Sequence, residues 1–204
     1  MISEHRLYFE AELLKSLKSI ASNFEGVVAS KNKLKFKYKK KYVAEIFLDH
    51  LARVDSYVLC GMVYGGEIYE CTLGFTPPYR SNLFNDGCLS FISSGEGTKR
   101  FSGDLGGAIK TPSPPAAAEI CIQIRAVLED FYIPKILSCI TPTERTVSDV
   151  ITAPEQYAYP AVFIHCAVRI GGLYTARHEI EKALMSKKIV KDKTYDTSLL
   201  LDIL

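Results

Sequence analysis

Residues 159–184 read YPAVFIHCAVRIGGLYTARHEIEKAL, and this stretch decides the fold of the C-terminal half. Apolar residues recur at helical spacing on both sides of Gly171-Gly172, so the pattern predicts two helices, each with one apolar stripe. A glycine pair favours a left-handed helix end, because a residue with a Cβ would be strained there. We therefore predict a helical hairpin over residues 160–188, with its two apolar stripes facing each other.

The second half of this hairpin resembles part of a tetratricopeptide repeat. Small and apolar residues recur at the spacing of that repeat, at Gly171, Leu173, Ala176, Ile180, Ala183 and Leu184. In the family, such small residues let two antiparallel helices approach closely. The resemblance covers roughly 25 residues, with no second copy about 34 residues upstream. It implies a helical hairpin and, less directly, a peptide-binding repeat.

The composition is that of a globular protein, with 48% hydrophobic and 24% charged residues in a chain of 204. No apolar run approaches the roughly 18 residues that a membrane span needs. The N-terminal residues enter an acidic amphipathic stretch, which is unlike a signal peptide. We therefore expect a cytoplasmic protein that has no contact with a membrane.

The cysteines are widely scattered in apolar surroundings and form no Cys-x-x-Cys pair. This distribution favours buried reduced thiols over a disulfide framework or a zinc site. We therefore expect free thiols, no metal and no cofactor. The six residues are Cys60, Cys71, Cys88, Cys121, Cys139 and Cys166.

The N-terminal half carries the signals of a helix followed by an antiparallel sheet. Ser3 can cap a helix whose predicted buried face is Leu7, Leu14, Leu17, Ala21 and Phe24. Four strands are expected at residues 33–39, 42–49, 57–64 and 67–75. The last two flank Gly65-Gly66, which is a hairpin signal because such turns need positive φ.

The C-terminal half carries helix signals. Ser113-Pro114 predicts a helix that ends or kinks at Pro134, and Thr141 to Glu144 has the spacing of a capping box. The last residues, 199–204, are too apolar to be left in water, so they must dock on this chain or on another. The fold class is therefore α+β, with a helix and sheet module at residues 1–111 and a helical module at 112–204, which can pack as one domain.

Seven lysines lie between residues 31 and 41, and because the whole chain has a net charge of +2, the rest carries −5. Residues 33–39 alternate lysine with apolar residues, the period of a half-buried strand. The lysines either protect an edge strand from pairing with other sheets or bind an acidic protein. Nucleic acid is the less favoured partner, because Phe36 and Tyr38 fall on the opposite side and the remaining charge repels a polyanion. The predicted lysine row is Lys33, Lys35, Lys37 and Lys39.

Residues 76–111 form a long stretch rich in glycine and proline, and long loops in compact domains are often functional. Its aromatic residues favour an ordered loop. No common catalytic motif is present in the sequence. An enzyme, either a small hydrolase or a nucleotide-binding protein, would use the charged residues of this loop. They are Asp86, Glu96 and Asp104, with Lys99 and Arg100 beside them.

Cys166 and His178 are a second catalytic alternative, as a nucleophilic pair on two packed helices. A cysteine on an apolar stripe has a raised pKa, which weighs against this pair. The histidines are otherwise isolated in the sequence.

We favour a binding protein over an enzyme. The layout of a stable scaffold with a charged surface and no chemistry resembles bacterial immunity-type proteins, which neutralise a toxin by covering its active site. That resemblance implies a protein partner, acidic at the contact. The expected contact residues are the lysine row together with Arg177 and His178.

Overall fold

The chain folds as an α+β protein, as predicted, with an N-terminal helix, an antiparallel sheet and a C-terminal helical region. The structure, a computed structural model, describes residues 3–84, 87–94, 107–173 and 176–204. Its contacts divide the chain into two units, each assembled from two stretches. The first unit is Met1–Gly61 with Ile92–Pro134, and the second is Met62–Phe91 with Lys135–Leu204.

The first helix, α1, spans Glu4–Ala21 and begins at Ser3 as predicted. The Ser3 Oγ accepts a hydrogen bond of 3.2 Å from the backbone N–H of Arg6. The predicted buried face is largely wrong, because Leu7 is 56% exposed and only Leu17 of the predicted set is fully buried. The helix instead packs on α3 (Pro114–Val127) and on the first two strands of the sheet. The side chains that it buries are Phe9, Leu13, Leu17 and Ile20.

Within the part of the chain that the structure describes, six strands form one sheet, and the pairs β1–β2, β2–β3 and β4–β6 are antiparallel. Their order is β1-β2-β3-β4-β5, with β6 also paired to β4. β2 therefore lies between two neighbours and is not an edge strand. The strands are β1 Val27–Ser30, β2 Lys33–Tyr38, β3 Lys41–Leu51, β4 Ser56–Val63, β5 Ser90–Ser93 and β6 Ile109–Lys110.

The segment after Gly65-Gly66 is a helix and not the predicted strand. This helix, α2, spans Glu67–Thr72 and follows Gly66, whose backbone has φ +104° and ψ 179°. A Cβ at Gly66 would lie 3.1 Å from the carbonyl oxygen of Ile140. The glycine therefore serves a close backbone approach within the second unit, where the sequence pattern indicated a hairpin turn.

In the described residues, six further helices follow the sheet, together with a π-helical turn at Leu128–Tyr132 and a short 3₁₀ turn at Pro154–Gln156. The π-helical turn precedes Pro134, so the chain continues past the proline with altered hydrogen bonding instead of ending there. The predicted capping box is wrong, since the Thr146 Oγ1 accepts a hydrogen bond of 2.8 Å from Thr143 N–H. The helices are α3 Pro114–Val127, α4 Ile133–Ile140, α5 Thr146–Thr152, α6 Pro160–Gly171, α7 Arg177–Met185 and α8 Lys193–Leu201.

The predicted hairpin is present as α6 and α7. Gly172 ends α6 in the left-handed conformation, with φ +63°. α6 packs on α2, α5 and α8, and α7 packs on α5 and α8. Each helix therefore buries its stripe mainly against other helices, and the two stripes do not form the predicted main contact. The apolar C-terminus docks on this chain, where Leu200 and Ile203 are buried.

Gly66→Ala is expected to destabilise the second unit by about 2 kcal/mol or more. The conformation of Gly66 is open almost only to glycine, and the added Cβ would press on the backbone of Ile140. Gly74→Ala is the matched control, because a Cβ there meets only the carbonyl of Cys71 at 3.4 Å. Urea denaturation of both variants measures the difference, and equal stabilities would contradict the close approach.

Candidate functional site

The candidate site is the outward side of β2, which we call the lysine face and define as Lys33, Lys35 and Lys37. The predicted alternation is confirmed from Lys33 to Lys37, because Leu34 and Phe36 between these lysines are at most 1% exposed. It is wrong for Lys39, the predicted fourth member of the row, which lies beyond the strand. β2 ends at Tyr38, so Lys37 is the last lysine of the row. Lys39 begins the turn to β3, and its ammonium lies 5.0 Å from the centre of the Tyr38 ring.

Aromatic rings of β3 lie among the lysines, in positions that only the strand register determines. In the β2–β3 register, Lys33 is opposite Phe47 and Lys37 is opposite Tyr42. The Nζ atoms of Lys35 and Lys37 lie 5.4 and 5.1 Å from the centre of the Tyr42 ring. These distances are those of cation–π contacts, which hold the ammonium groups in place.

One carboxylate partly neutralises the lysine face. The Nζ of Lys33 lies 3.2 Å from the Oε2 of Glu45, which is directly opposite Lys35 on β3. Lys37 is exposed, and Lys35 is half-buried. The face therefore keeps a net positive charge with its ammonium groups ordered over two rings.

The turn between β2 and β3 holds two lysines in a backbone conformation that lysine rarely adopts. Tyr38 pairs with Lys41, so the turn is Lys39-Lys40, and φ is +47° and +68° at these positions. Hairpin turns of this kind prefer Asn-Gly, because a Cβ is strained at positive φ. The lysines therefore reduce stability at this turn and place two more charges at the end of β2.

The edge-protection interpretation of the lysines is wrong for β2. β1 covers its free side over four residues, from Val27 opposite Phe36 to Ser30 opposite Lys33. Lysines protect a sheet from foreign pairing when they lie on an edge strand. Another reason is therefore needed for the charge on this inner strand.

The other two predicted contact residues, Arg177 and His178, belong to the second unit, at the start of α7. Both are exposed, and the Arg177 Nε lies 3.4 Å from the Glu181 Oε1. His178 lines a shallow depression of about 350 Å³ with Glu181 and Met185. Met185 is 88% exposed, so a partner can contact its apolar side chain beside these charged residues.

The predicted catalytic residues Asp86, Glu96 and Asp104 lie outside the described residues, as do Lys99 and Arg100. The described start of the long loop is anchored within the second unit. Its Tyr79 hydroxyl donates a hydrogen bond of 2.6 Å to the buried Asp196, and the Asn82 amide donates to the carbonyls of Pro154 and Tyr157 at 3.1 and 3.0 Å. Burial and the bond to Asp196 raise the pKa of Tyr79 far above its ordinary value.

The prediction of six free thiols is wrong for two cysteines. Cys71 of α2 and Cys166 of α6 form a disulfide that joins positions 95 residues apart, with their Cα atoms 5.9 Å apart. In this state Cys166 carries no thiol, so the alternative Cys166–His178 nucleophilic pair has no nucleophile.

The remaining four cysteines are buried thiols, Cys60, Cys88, Cys121 and Cys139. Burial raises the pKa of both Cys121 and Cys139 to about 11. Because the thiolate is the reactive form, the raised pKa of these two buried thiols favours slow reaction near neutral pH.

Two histidines have polar partners, although the sequence indicated isolated histidines: the Nδ1 of His165 lies 3.0 Å from the Leu199 carbonyl oxygen, and His50 is paired with a carboxylate. The Nε2 of His50 lies 3.0 Å from the Oδ1 of Asp55 across the β3–β4 turn, and Thr111 donates to the same oxygen at 2.7 Å. These two hydrogen bonds lower the pKa of Asp55. Asp55 has φ +45°, so the contacts fasten a strained turn to the strand β6 that precedes Thr111. The spacing of five residues between His50 and Asp55, across an expected hairpin turn, was the sequence signal that could have predicted this pair.

A buried lysine is the other polar group that sequence reasoning missed. Lys135 is 5% exposed, and its Nζ donates a hydrogen bond of 2.5 Å to the Gln156 Oε1. The same ammonium lies 5.8 Å from the centre of the Tyr157 ring. Gln156 and Tyr157 are buried as well, so this group is closed to a substrate and stabilises the second unit.

In the described part of the chain, no helix is both long and apolar enough to cross a membrane. Among the same residues, no group of three or more metal-binding side chains is found. Comparison of the chain with protein-family models, curated proteins and solved structures finds no match.

Thiol titration is expected to count four thiols in unfolded protein prepared without reductant, and six after reduction. Native protein should label slowly near pH 7.5, and labelling of Cys121 should accelerate about tenfold per pH unit up to its pKa of about 11. Cys166→Ser is the control, because it releases the half-buried Cys71 as a fifth thiol. Six thiols before reduction would contradict the disulfide.

Proposed function

We propose that this chain is a protein-binding module that contacts an acidic partner through the lysine face. The observation that carries the proposal is the position of Lys33, Lys35 and Lys37 on an inner strand, where they protect no edge. A charged row at such a position has little structural use, because like charges destabilise the sheet that carries them.

The spacing of the lysines favours a collective effect on an approaching partner. Side chains two residues apart on a strand are separated by about 6.7 Å, which is shorter than the Debye length of about 8 Å at physiological ionic strength. The row therefore acts as one positive field. Such a field raises the rate of encounter with an acidic surface, and this rate falls as salt is added.

The aromatic contacts favour a protein partner over a nucleic acid. Bases stack on open ring faces in single-stranded nucleic acid complexes. The Tyr42 ring is already engaged by the ammonium groups of Lys35 and Lys37. These contacts hold the two charges in place before binding, which lowers the entropy lost when carboxylates of a partner meet them.

A sharper form of the proposal is an immunity-type inhibitor, which covers the active site of a toxin or another enzyme. A scaffold with ordered positive charges fits that role, since an active site rich in carboxylates would be its target. The repeat-like residues of α6 and α7 add a second proposed contact, at Arg177 and His178, beside the exposed Met185.

Lys35→Glu with Lys37→Glu is expected to slow association at least tenfold at low salt, because two attractive charges become repulsive. The partner is first identified by pull-down from the native organism with mass spectrometry, and association is then followed by surface plasmon resonance. Lys15→Glu with Lys18→Glu is the matched control, since it makes the same charge change at exposed lysines of α1, which packs on β2 and belongs to neither proposed contact. Circular dichroism confirms that both variants fold.

If both variants slow association equally, the net charge of the chain explains the effect and the lysine face does not. If neither variant changes the association rate, the lysine face is excluded as the contact. In the second case the contact would have to be sought at Arg177 and His178.

Lys39→Asn with Lys40→Gly is expected to separate stability from binding. Asn-Gly suits the positive φ of this turn, so the free energy of unfolding should rise by about 1 kcal/mol. Association with the acidic partner should slow by a few-fold, because two charges are lost. Thermal denaturation and binding kinetics measure the two effects, and a variant that gains stability without any loss of association rate would exclude the turn from the contact.

A further inference from the structure

We propose that the Cys71–Cys166 disulfide is a redox-controlled latch that holds α2 over an apolar pocket of the second unit. The pocket has a volume of about 170 Å³. Its walls come from α2, the residues that follow it, the segment before β5 and the start of α6. They include Tyr69, Leu73, Phe75, Leu89, Tyr159 and Val162.

The two ends of α2 are held in different ways. At its start, Gly66 lies against the backbone of Ile140, and Ile68 is fully buried. At its end, the disulfide joins Cys71 to α6. Ile68 is the only fully buried residue of α2, and a helix of six residues is unstable without tertiary contacts. The covalent bond is therefore the strongest restraint on the C-terminal half of the helix.

The chain neighbours of Cys71 form one wall of the pocket. Tyr69, Thr72 and Leu73, which line the cavity, flank Cys71 on both sides. Gly74 and Phe75 continue the same segment by hydrogen bonds of 3.1 Å to the carbonyls of Cys71 and Thr72. Movement of Cys71 away from α6 would therefore carry one wall with it, with Gly66 as the fixed end.

The switching step is reduction by a dithiol. Cys71 is half-buried and Cys166 is fully buried, so a thiolate of the reductant attacks the Cys71 sulfur. The protein S–S bond breaks, and the Cys166 sulfur leaves as a thiolate and takes up a proton. The second thiol of the reductant then attacks the mixed disulfide, which releases Cys71 as a thiol and the reductant as its own disulfide. Two electrons pass from the dithiol to the protein.

The expected consequence is a local change. With the disulfide formed, α2 is fixed on α6 and the pocket is walled on the α2 side. With it reduced, residues 69–75 open about Gly66 and expose the aromatic and aliphatic lining. This device is independent of the lysine face, which belongs to the first unit.

Hydrogen exchange followed by mass spectrometry tests the latch on the wild-type protein, with and without dithiothreitol. Reduction should accelerate exchange of amides in residues 69–75 at least about tenfold, whereas exchange of β2 and β3 should stay the same. Cys71→Ser should show the fast exchange without reductant. Cys121→Ser is the control, because it removes a buried thiol outside the disulfide and should respond to dithiothreitol as the wild type does.

Three outcomes would overturn the proposal. Unchanged exchange of residues 69–75 after complete reduction would show that packing alone holds α2. Fast exchange throughout the second unit after reduction would show that the disulfide stabilises the whole unit and is not a local latch. Six thiols in protein prepared without reductant would show that the bond does not form. The wild-type comparison decides between these outcomes even if Cys71→Ser fails to fold.

Discussion

Burial of Leu34 and Phe36 beneath α1 is the constraint on which the lysine face depends. Both side chains are at most 1% exposed, and α1 packs on the strand that carries them. Because successive residues of a strand point to opposite sides, this burial turns Lys33, Lys35 and Lys37 outward together. A slip of one residue would bury three ammonium groups, which is far more costly than any gain in pairing. The core of the first unit thus orients the charges.

In the second unit, α6 has the corresponding role. Its residues from Pro160 to Val168 are all buried, and α2, α5 and α8 pack around it. A helix that is apolar on all sides needs neighbours on all sides. Two directional contacts fix the position of α6 in addition to apolar packing. They are the disulfide to α2 and the hydrogen bond of 3.0 Å between His165 Nδ1 and the Leu199 carbonyl.

The local sequence pattern predicted an element correctly where the spacing of its apolar residues or glycines fits a single structure. The alternation in β2 and the glycine stop after α6 are examples, and both are confirmed. The predicted buried face of α1 was wrong because apolar residues form two overlapping helical stripes, one from Leu7 and one from Phe9, that share Leu17. The elements packed against the helix decide which stripe is buried. Gly65-Gly66 likewise suits a hairpin or a close backbone approach. The strand register places Tyr42 and Phe47 among the lysines, and the tertiary fold brings together two cysteines that are 95 residues apart. A local sequence pattern contains neither kind of information.

The backbone at the ends of β2 places lysines in conformations that glycine adopts with less strain. Among the described residues, four that are not glycine have positive φ, and three of them are lysines: Lys31, Lys39 and Lys40. Each such residue loses about 1 kcal/mol relative to glycine, so the three together give up about 3 kcal/mol. Net stabilities of domains are only about 5 to 15 kcal/mol, which makes this a large share. The contact of the Lys39 ammonium with the Tyr38 ring, at 5.0 Å, recovers part of this free energy within the chain. The acidic partner proposed above would add a further gain, because opposite charges attract.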